Sequence, residues 1–353
     1  MKIGIPKALL YIIYFPLWVN FFKELGHEVI LSQNTNKEIL ENGVKNCVDD
    51  CCLPVKIFHG HVMDLIRKAD VILIPRLISI RPGEYICPKF IGLPEMILNS
   101  IPGRPELLIM DFNAHSSLKK GFIGMWESGR KLGASPQQIK NALNKAKAEQ
   151  KKYEYLLEKG FSTNKNVKNT SHNRVTSGRN LAAEPISRAK TSKEKAGKIG
   201  LIGHPYLIYD SYINMNICKK LAEQGYEIVF PEQSTQEEVD RACNRYPKKL
   251  FWSYGKRLLG SGLTMMEYGS IDGLILLTSF GCGIDSFIDE LLIRANRREY
   301  KYPLTTITLD EHSGEAGFDT RLEAFIDMLE WRDRYDSHIS SYGKSLYSGQ
   351  RFV

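Results

Sequence analysis

Three cysteines in this 353-residue chain stand in short motifs punctuated by Pro or Gly. They are Cys52 in Cys-Leu-Pro-Val, Cys87 in Tyr-Ile-Cys-Pro-Lys-Phe, and Cys282 in Ser-Phe-Gly-Cys-Gly. Two belong to the first half of the chain and one to the second, so a site that uses all three must lie where the halves meet. Three thiolates suit an iron–sulfur cluster with one iron left open for a substrate or a further ligand. A closed structural zinc site normally takes a fourth protein ligand. Gly281 and Gly283 flank Cys282 and allow its backbone to approach something bulky. Cys47, Cys51 and Cys52 are crowded, but a zinc site built from them and Cys87 lacks the usual CxxC spacing. Cys218, on the apolar face of a helix, and Cys243, in the amphipathic stretch 237–244, read as core or surface thiols.

Two further motifs carry titratable groups. Asp310, Glu311, His312 and Glu315 crowd into the Gly-punctuated run Leu309-Asp-Glu-His-Ser-Gly-Glu-Ala-Gly-Phe. This loop follows a predicted strand, where ligands bind in parallel sheets. Glu311, His312 and His204, the last in Gly-His-Pro-Tyr, are the candidate proton-handling residues. The plainer alternatives are that Asp310 caps the next helix, that Glu311 pairs with Arg321, and that His204 caps a turn.

The elements that must position these residues repeat. Lys2-Ile-Gly-Ile-Pro opens the first half and Lys198-Ile-Gly-Leu-Ile-Gly-His-Pro the second. Each is a short apolar run ending at a turn. A helix follows in each half, Trp18–Leu25 stopped by Gly26 and Ile217–Glu223 stopped by Gly225. Further apolar runs begin at Glu28 and Glu227, at Asp70 and Asp272, and at Glu106 and Leu304. Four short apolar strands alternating with helices make a parallel, doubly wound sheet. The fold class is therefore α/β: two tandem Rossmann- or flavodoxin-like domains, each with a four-stranded parallel sheet, plus a helical arm. The expected boundaries are 1–112 for the first domain, 113–161 for the arm, 162–196 for a linker, and 197–353 for the second domain with C-terminal helices. The arm starts at a Ser135-Pro136 cap and carries an apolar stripe through Ile139, Leu143, Ala146, Tyr153 and Leu157, suited to packing on a partner subunit. A helix around 56–66 puts Cys52 near a helix N-terminus, where the dipole is expected to lower its thiol pKa.

Composition narrows the class. The chain is 43% hydrophobic and 25% charged, ordinary for a soluble protein. The net charge of +8 is concentrated between Asn164 and Lys198, where nine Lys or Arg face two Glu. That stretch is poor in branched apolar and aromatic residues and reads as a disordered basic linker. No interleaved aromatics support nucleic-acid binding. Ala8–Phe22 is apolar but too short to span a bilayer. Seven cysteines without a secretory leader indicate a cytoplasmic protein with thiol or metal chemistry.

The full motif set comprises Ile-Pro-Lys-Ala-Leu-Leu-Tyr, Thr-Asn-Lys-Glu-Ile-Leu, Cys52-Leu-Pro-Val-Lys and Gly60-His61-Val62. Ile86-Cys-Pro-Lys-Phe-Ile-Gly-Leu-Pro, Gly-His-Pro-Tyr, Ser-Phe-Gly-Cys-Gly-Ile-Asp-Ser and Asp-Glu-His-Ser-Gly-Glu-Ala-Gly complete it. The chain resembles the acyl-CoA dehydratase activase-related proteins across nearly its whole length, the linker excepted. These belong to the group of 2-hydroxyacyl-CoA dehydratases, benzoyl-CoA reductases and double-cubane cluster proteins. The resemblance implies tandem Rossmann-like domains around an iron–sulfur cluster and oxygen-sensitive, low-potential electron chemistry. It implies Cys52, Cys87 and Cys282 as ligands of a 4Fe-4S cubane, alone or as one half of a double-cubane 8Fe-9S cluster. It also implies a homodimer and a partner, an ATP-dependent activator that is itself a dimeric 4Fe-4S ATPase. No Walker-type phosphate loop occurs here, so the chain is expected to receive electrons. The reading is an iron–sulfur reductase or dehydratase-like component. The alternatives are a non-enzymatic electron carrier or cluster scaffold, and a zinc-stabilised nucleotide-binding protein.

Overall fold

A computed structural model describes residues 1–162, 184–185 and 196–338. The first half runs β1 (Lys2–Ile5), α1 (Tyr11–Glu24), β2 (Glu28–Leu31), α2 (Lys37–Lys45), α3 (Leu53–Leu65), β3 (Val71–Ser79), α4 (Pro88–Ile91), α5 (Leu93–Ser100) and β4 (Glu106–Asn113). Two helices follow, α6 (Ile123–Lys131) and α7 (Pro136–Glu158). The antiparallel pair β5 (Phe161–Ser162) and β6 (Glu184–Pro185) stands apart from both main sheets. The rest of the stretch read as a disordered linker lies outside the described residues. The second half runs β7 (Gly197–Gly203), α8 (Pro205–Ile208), α9 (Ile217–Glu223), β8 (Tyr226–Val229), α10 (Gln236–Cys243), α11 (Ser253–Glu267), β9 (Gly273–Ser279), α12 (Gly283–Ala295), β10 (Leu304–Leu309) and α13 (Glu315–His338).

All eight expected strands form. They make two four-stranded sheets, ordered β2-β1-β3-β4 and β10-β9-β7-β8, and every pairing within them is parallel. In each half the first strand lies between the second and the third, the fourth is outermost, and the same α/β plan is used twice. β9 is buried along its full length, as a central strand covered on both faces must be. Among the described residues no helix is long and apolar enough to cross a membrane.

The helix after β1 starts at Tyr11, seven residues earlier than expected from Trp18, and carries Pro16 inside it. Proline removes the N–H that would bond the Ile12 carbonyl and disturbs the turn before it. Helix α7 repairs the break. The Tyr153 hydroxyl donates to the Ile12 carbonyl at 2.9 Å. The Gln150 amide donates to the Ile13 carbonyl at 2.9 Å, and its oxygen accepts from the Leu17 N–H at 3.3 Å. Ile139, Ala146 and Tyr153 are fully buried. The apolar stripe of α7, suited from its sequence to a partner subunit, is thus covered within the chain. The reason is the proline: α1 needs donors and acceptors that only an adjacent helix can supply.

Helices α2 and α3 touch backbone to backbone. A Cβ on Gly60 would lie 1.9 Å from the Ile39 carbonyl oxygen, and one on Gly43 would lie 2.0 Å from the Lys56 carbonyl oxygen. Only glycine permits that approach, which fixes α3 and the Cys52 at its N-terminus.

The α1–α7 repair is open to test. Replacing Gln150 by Met leaves the Ile13 carbonyl and the Leu17 N–H buried and unpaired. It is expected to lower stability by about 1–3 kcal/mol in thermal unfolding. Tyr155→Phe, on the exposed face of the same helix, is expected to stay within about 0.5 kcal/mol of the parent.

Candidate functional site

The four residues singled out near strand ends share one local device. Cys52 is the N-cap of α3, Cys87 of α4, His204 of α8 and Cys282 of α12. An N-cap residue is extended while the next is helical, so its side chain faces the helix's first free N–H groups. Proline occupies the first or second helical position after Cys52, Cys87 and His204, where its missing N–H is harmless. The Cys282 thiol accepts the Asp285 N–H of its own helix at 3.5 Å, and the N–H groups of Val55 and Lys89 favour the thiolate forms of Cys52 and Cys87.

The halves dock with the turn before Cys282 against Cys52 and with Cys87 and His204 on one cavity. Tyr85 and Trp252 form a parallel bridge between halves, with Tyr85 N–H donating to the Phe251 carbonyl at 2.6 Å and Ser253 N–H to the Tyr85 carbonyl at 2.9 Å. The bridge holds the loop that ends in Cys87 against the second half. Beside it, half-buried Lys256 pairs with Glu84 at 3.1 Å and also with Asp240. Gly281 adopts φ +74°, and a Cβ there would lie 3.8 Å from the Cys52 Cα. The left-handed turn before Cys282 is thus pressed onto the Cys52 backbone. A Cβ on Gly283 would meet nothing within 4 Å, so the space beside Cys282 is open.

Burial and four surrounding acidic groups, Asp285, Cys282, Cys52 and Cys87, push the Tyr206 phenol well above its ordinary value. Tyr206 thus feels Asp285 and all three cysteines, and it lines one cavity with Cys87. Burial also pushes the Cys52 thiol up, against the pull of Lys89 and the Val55 N–H. Burial raises Cys87, opposed by the Lys89 N–H and ammonium and reinforced by Asp285. Burial and Asp285 raise Cys282 strongly. The sequence-based expectation that the helix terminus would lower the Cys52 pKa is thereby corrected. The Val55 N–H favours the thiolate, but desolvation outweighs it. A bound metal reverses that balance, because its charge removes the proton from a coordinating thiol outright. The donor set is soft and thiol-rich, which fits an iron–sulfur group better than a hard cation.

His204 and Asp285 stand beside Cys282. His204 Nε2 lies 3.0 Å from Asp285 Oδ1, and both residues are nearly excluded from solvent, at 4% and 3% exposure. Asp285 also accepts the Ser279 N–H at 3.1 Å. Burial pushes its carboxyl up, but its contact with His204 and these hydrogen bonds hold it below its ordinary value. The His204 ring stacks on Tyr206, with centroids 4.9 Å apart. His204, Cys282 and Asp285 offer ligand atoms within 4.8 Å of one another. His204, Tyr206 and Cys87 also line a small cavity of about 10 Å³, room for about one water.

The Asp310 loop behaves differently from its expectation. Asp310 Oδ1 accepts from the His312 N–H and from the Ser313 hydroxyl, each at 2.9 Å, so it organises its own turn. Glu311 pairs with Lys56, which is only 3% exposed on α3; Arg321 is not the partner the pattern suggested. His312 is exposed. The loop therefore ties the second half to the helix that begins at Cys52. Cys47 and Cys51 lie beyond the end of α2. Burial and Cys51 push the Cys47 thiol up to about 12. Cys243 is buried, which settles its choice between core and surface.

Sequence reasoning missed Asp285, Lys56 and Tyr206 as site residues. The signal for Asp285 was its place in the first turn after Cys282, in Gly-Cys-Gly-Ile-Asp, and that for Tyr206 was Gly-His-Pro-Tyr. Nothing in the sequence pointed to Lys56.

Residues 2–233 match the family described as CoA enzyme activase uncharacterised domain (DUF2229). The chain belongs to that family. No curated protein matches it significantly. The family supports an activator-type protein of the acyl-CoA dehydratase system, with a dehydratase component as its partner. It does not support the dehydratase or reductase component that the sequence reading favoured.

The Lys56–Glu311 pair yields a test. Burial pushes the Glu311 carboxyl up, but the hydrogen bond and charge of Lys56 outweigh it and hold it below the ordinary value of 4.5. Its contribution to stability is then present above pH 4.5 and is lost as pH falls through the lowered value. Glu311→Gln strands a buried ammonium. It is expected to cost about 1–3 kcal/mol near neutral pH, with a shrinking difference from the parent under acid. The double variant Lys56→Met/Glu311→Gln is expected to recover part of the loss in urea unfolding.

Proposed function

We propose that this protein is an iron–sulfur electron-transfer component on the activator side of an acyl-CoA dehydratase system. Cys52, Cys87 and Cys282 would hold a 4Fe-4S cluster at the seam between the two domains. When bound, the cluster supplies one-electron, low-potential redox chemistry. The observation that carries this reading is that helix-capping thiols from both halves converge beside Tyr206: the Cys282 turn packs on Cys52, Cys87 shares a cavity with His204 and Tyr206, and burial raises all three thiols although Lys89 lies near two of them. Deprotonating three such thiols is unfavourable unless a metal takes them up.

Electrons would come from an ATP-driven 4Fe-4S activator and pass to a dehydratase partner. The exposed aromatics Phe251, Phe280 and Phe287 rim the cysteine motifs and suit a protein surface more than a small substrate. Glu311, held by Lys56, and the water-sized cavity beside Cys87 favour the carrier over a substrate-converting enzyme. His204 is the best-buried of the three residues suggested for proton handling. A homodimer joining two cubanes through a shared sulfide is the double-cubane form of the same proposal.

A second reading has one observation in its favour. His204, Cys282 and Asp285 are close enough for a single zinc-like ion. Anaerobic purification followed by iron, sulfide and zinc analysis separates the two. About four irons and four sulfides per chain are expected. Zinc alone, without sulfide, would sink the cluster reading. Cys87→Ser is expected to remove most of the iron, because a serine oxygen replaces thiolate poorly on iron. Cys243→Ser, which changes a core thiol, is expected to keep it. Equal iron in the two variants would show that Cys87 is not a ligand.

A further inference from the structure

We infer that the imidazole of His204 is a protein ligand to the metal group held by Cys52, Cys87 and Cys282, oriented for that role by Asp285. The inference rests on the cluster reading above and names the ligand for its fourth metal position.

The argument begins with an unsatisfied atom. Buried polar side chains are paired almost without exception, and each unpaired one needs an explanation. His204 Nδ1 is buried and has no hydrogen-bond partner, whereas Nε2 lies 3.0 Å from Asp285 Oδ1. In the neutral ring the nitrogen that faces the carboxylate oxygen at hydrogen-bond distance carries the proton, and that nitrogen is Nε2. Nδ1 is then left with a bare lone pair. Metal-binding histidines are built in this way: the ring N–H donates to a carboxylate, which fixes the tautomer, and the other nitrogen meets the metal.

The surroundings fit. A ring nitrogen of His204, the Cys282 Sγ and an Asp285 oxygen lie within 4.8 Å of one another. His204 and Cys87 line one cavity. The ring is pinned by stacking on Tyr206, which lines the same cavity as Cys87. The duplicated plan points the same way. α3 in the first half begins at Cys52, and its counterpart α11 in the second half begins at Trp252. Tryptophan is no metal ligand, so the second half lacks the equivalent thiol. His204, at the N-cap after β7, is the donor that half offers in addition to Cys282.

The test uses the whole chain, purified anaerobically after growth on 15N-histidine and reduced with dithionite. Pulsed electron–nuclear double resonance on the reduced cluster is expected to show a 15N coupling typical of a directly bound imidazole. In His204→Ala that coupling is expected to vanish while at least half of the iron and sulfide remains on the three cysteines. Asp285→Asn, a positioning change, is expected to keep the iron and alter the coupling, because the carboxylate partner of Nε2 is gone. His204→Gln serves if the Ala variant does not fold. A wild-type protein with a full cluster and no 15N coupling overturns the ligand assignment and leaves the cluster reading standing. So does a coupling that persists unchanged in both His204 variants. A wild-type protein without iron and sulfide overturns both.

Discussion

The structure depends on how two similar domains are held at one seam, because every candidate donor sits there and neither domain carries the set alone. One apolar core runs through both halves, and polar contacts add to it across the seam. Several of them strand a buried group, such as Lys56 or Glu84, if the domains separate or slip. The Tyr85–Trp252 bridge pairs main-chain atoms across it. Lys256 crosses to Glu84, Lys56 to Glu311, and Thr35 to Asp210. Buried ion pairs add little to net stability, but removing one partner is expensive, so such pairs define one register between surfaces. Here that register sets Gly281 against Cys52 and brings the Cys87 loop beside Trp252.

Electrostatics at the seam runs against its own cysteines. Helix termini offer each thiol an N–H, and Lys89 adds a positive charge near two of them, yet all three thiols stay above their ordinary range. Desolvation and Asp285 outweigh these donors. Asp289, one turn beyond Asp285, shows the same balance: burial and the Asp285 charge push it up to about 7. A site with several acidic groups and too little compensating charge is suited to a cationic guest. His204 is the complement within the protein, since its ring faces Asp285 with one nitrogen and leaves the other unpaired.

The same seam bears on the choice between carrier and catalyst. A redox protein needs a cluster close to a partner surface, whereas an enzyme needs room for its substrate. The cavity next to Cys87 holds about one water, while Phe280 beside Gly281 is largely exposed.

Most of the fold was legible in the sequence because parallel strands are buried on both faces and read as short apolar runs. β1, β3, β7 and β9 announced themselves in that way, and so did the duplicated order. Ser135-Pro136 marked the start of α7 through its capping chemistry, which is local. The positions of Cys52, Cys87 and Cys282 at turn-and-helix junctions were likewise fixed by neighbouring Pro and Gly. What the sequence could not supply was anything that depends on which surfaces meet. The Pro16 break looked like a helix boundary until Gln150 and Tyr153, more than 130 residues away, completed its hydrogen bonds. Glu311 found Lys56 and not Arg321, because helical spacing ranks only neighbours on one helix. The lowered thiol pKa expected at a helix end gave way to burial, which no motif encodes. The pairing of His204 with Asp285 needed tertiary structure as well, since 81 residues of chain separate two groups that only the docking of β7 against β9 brings within a hydrogen bond.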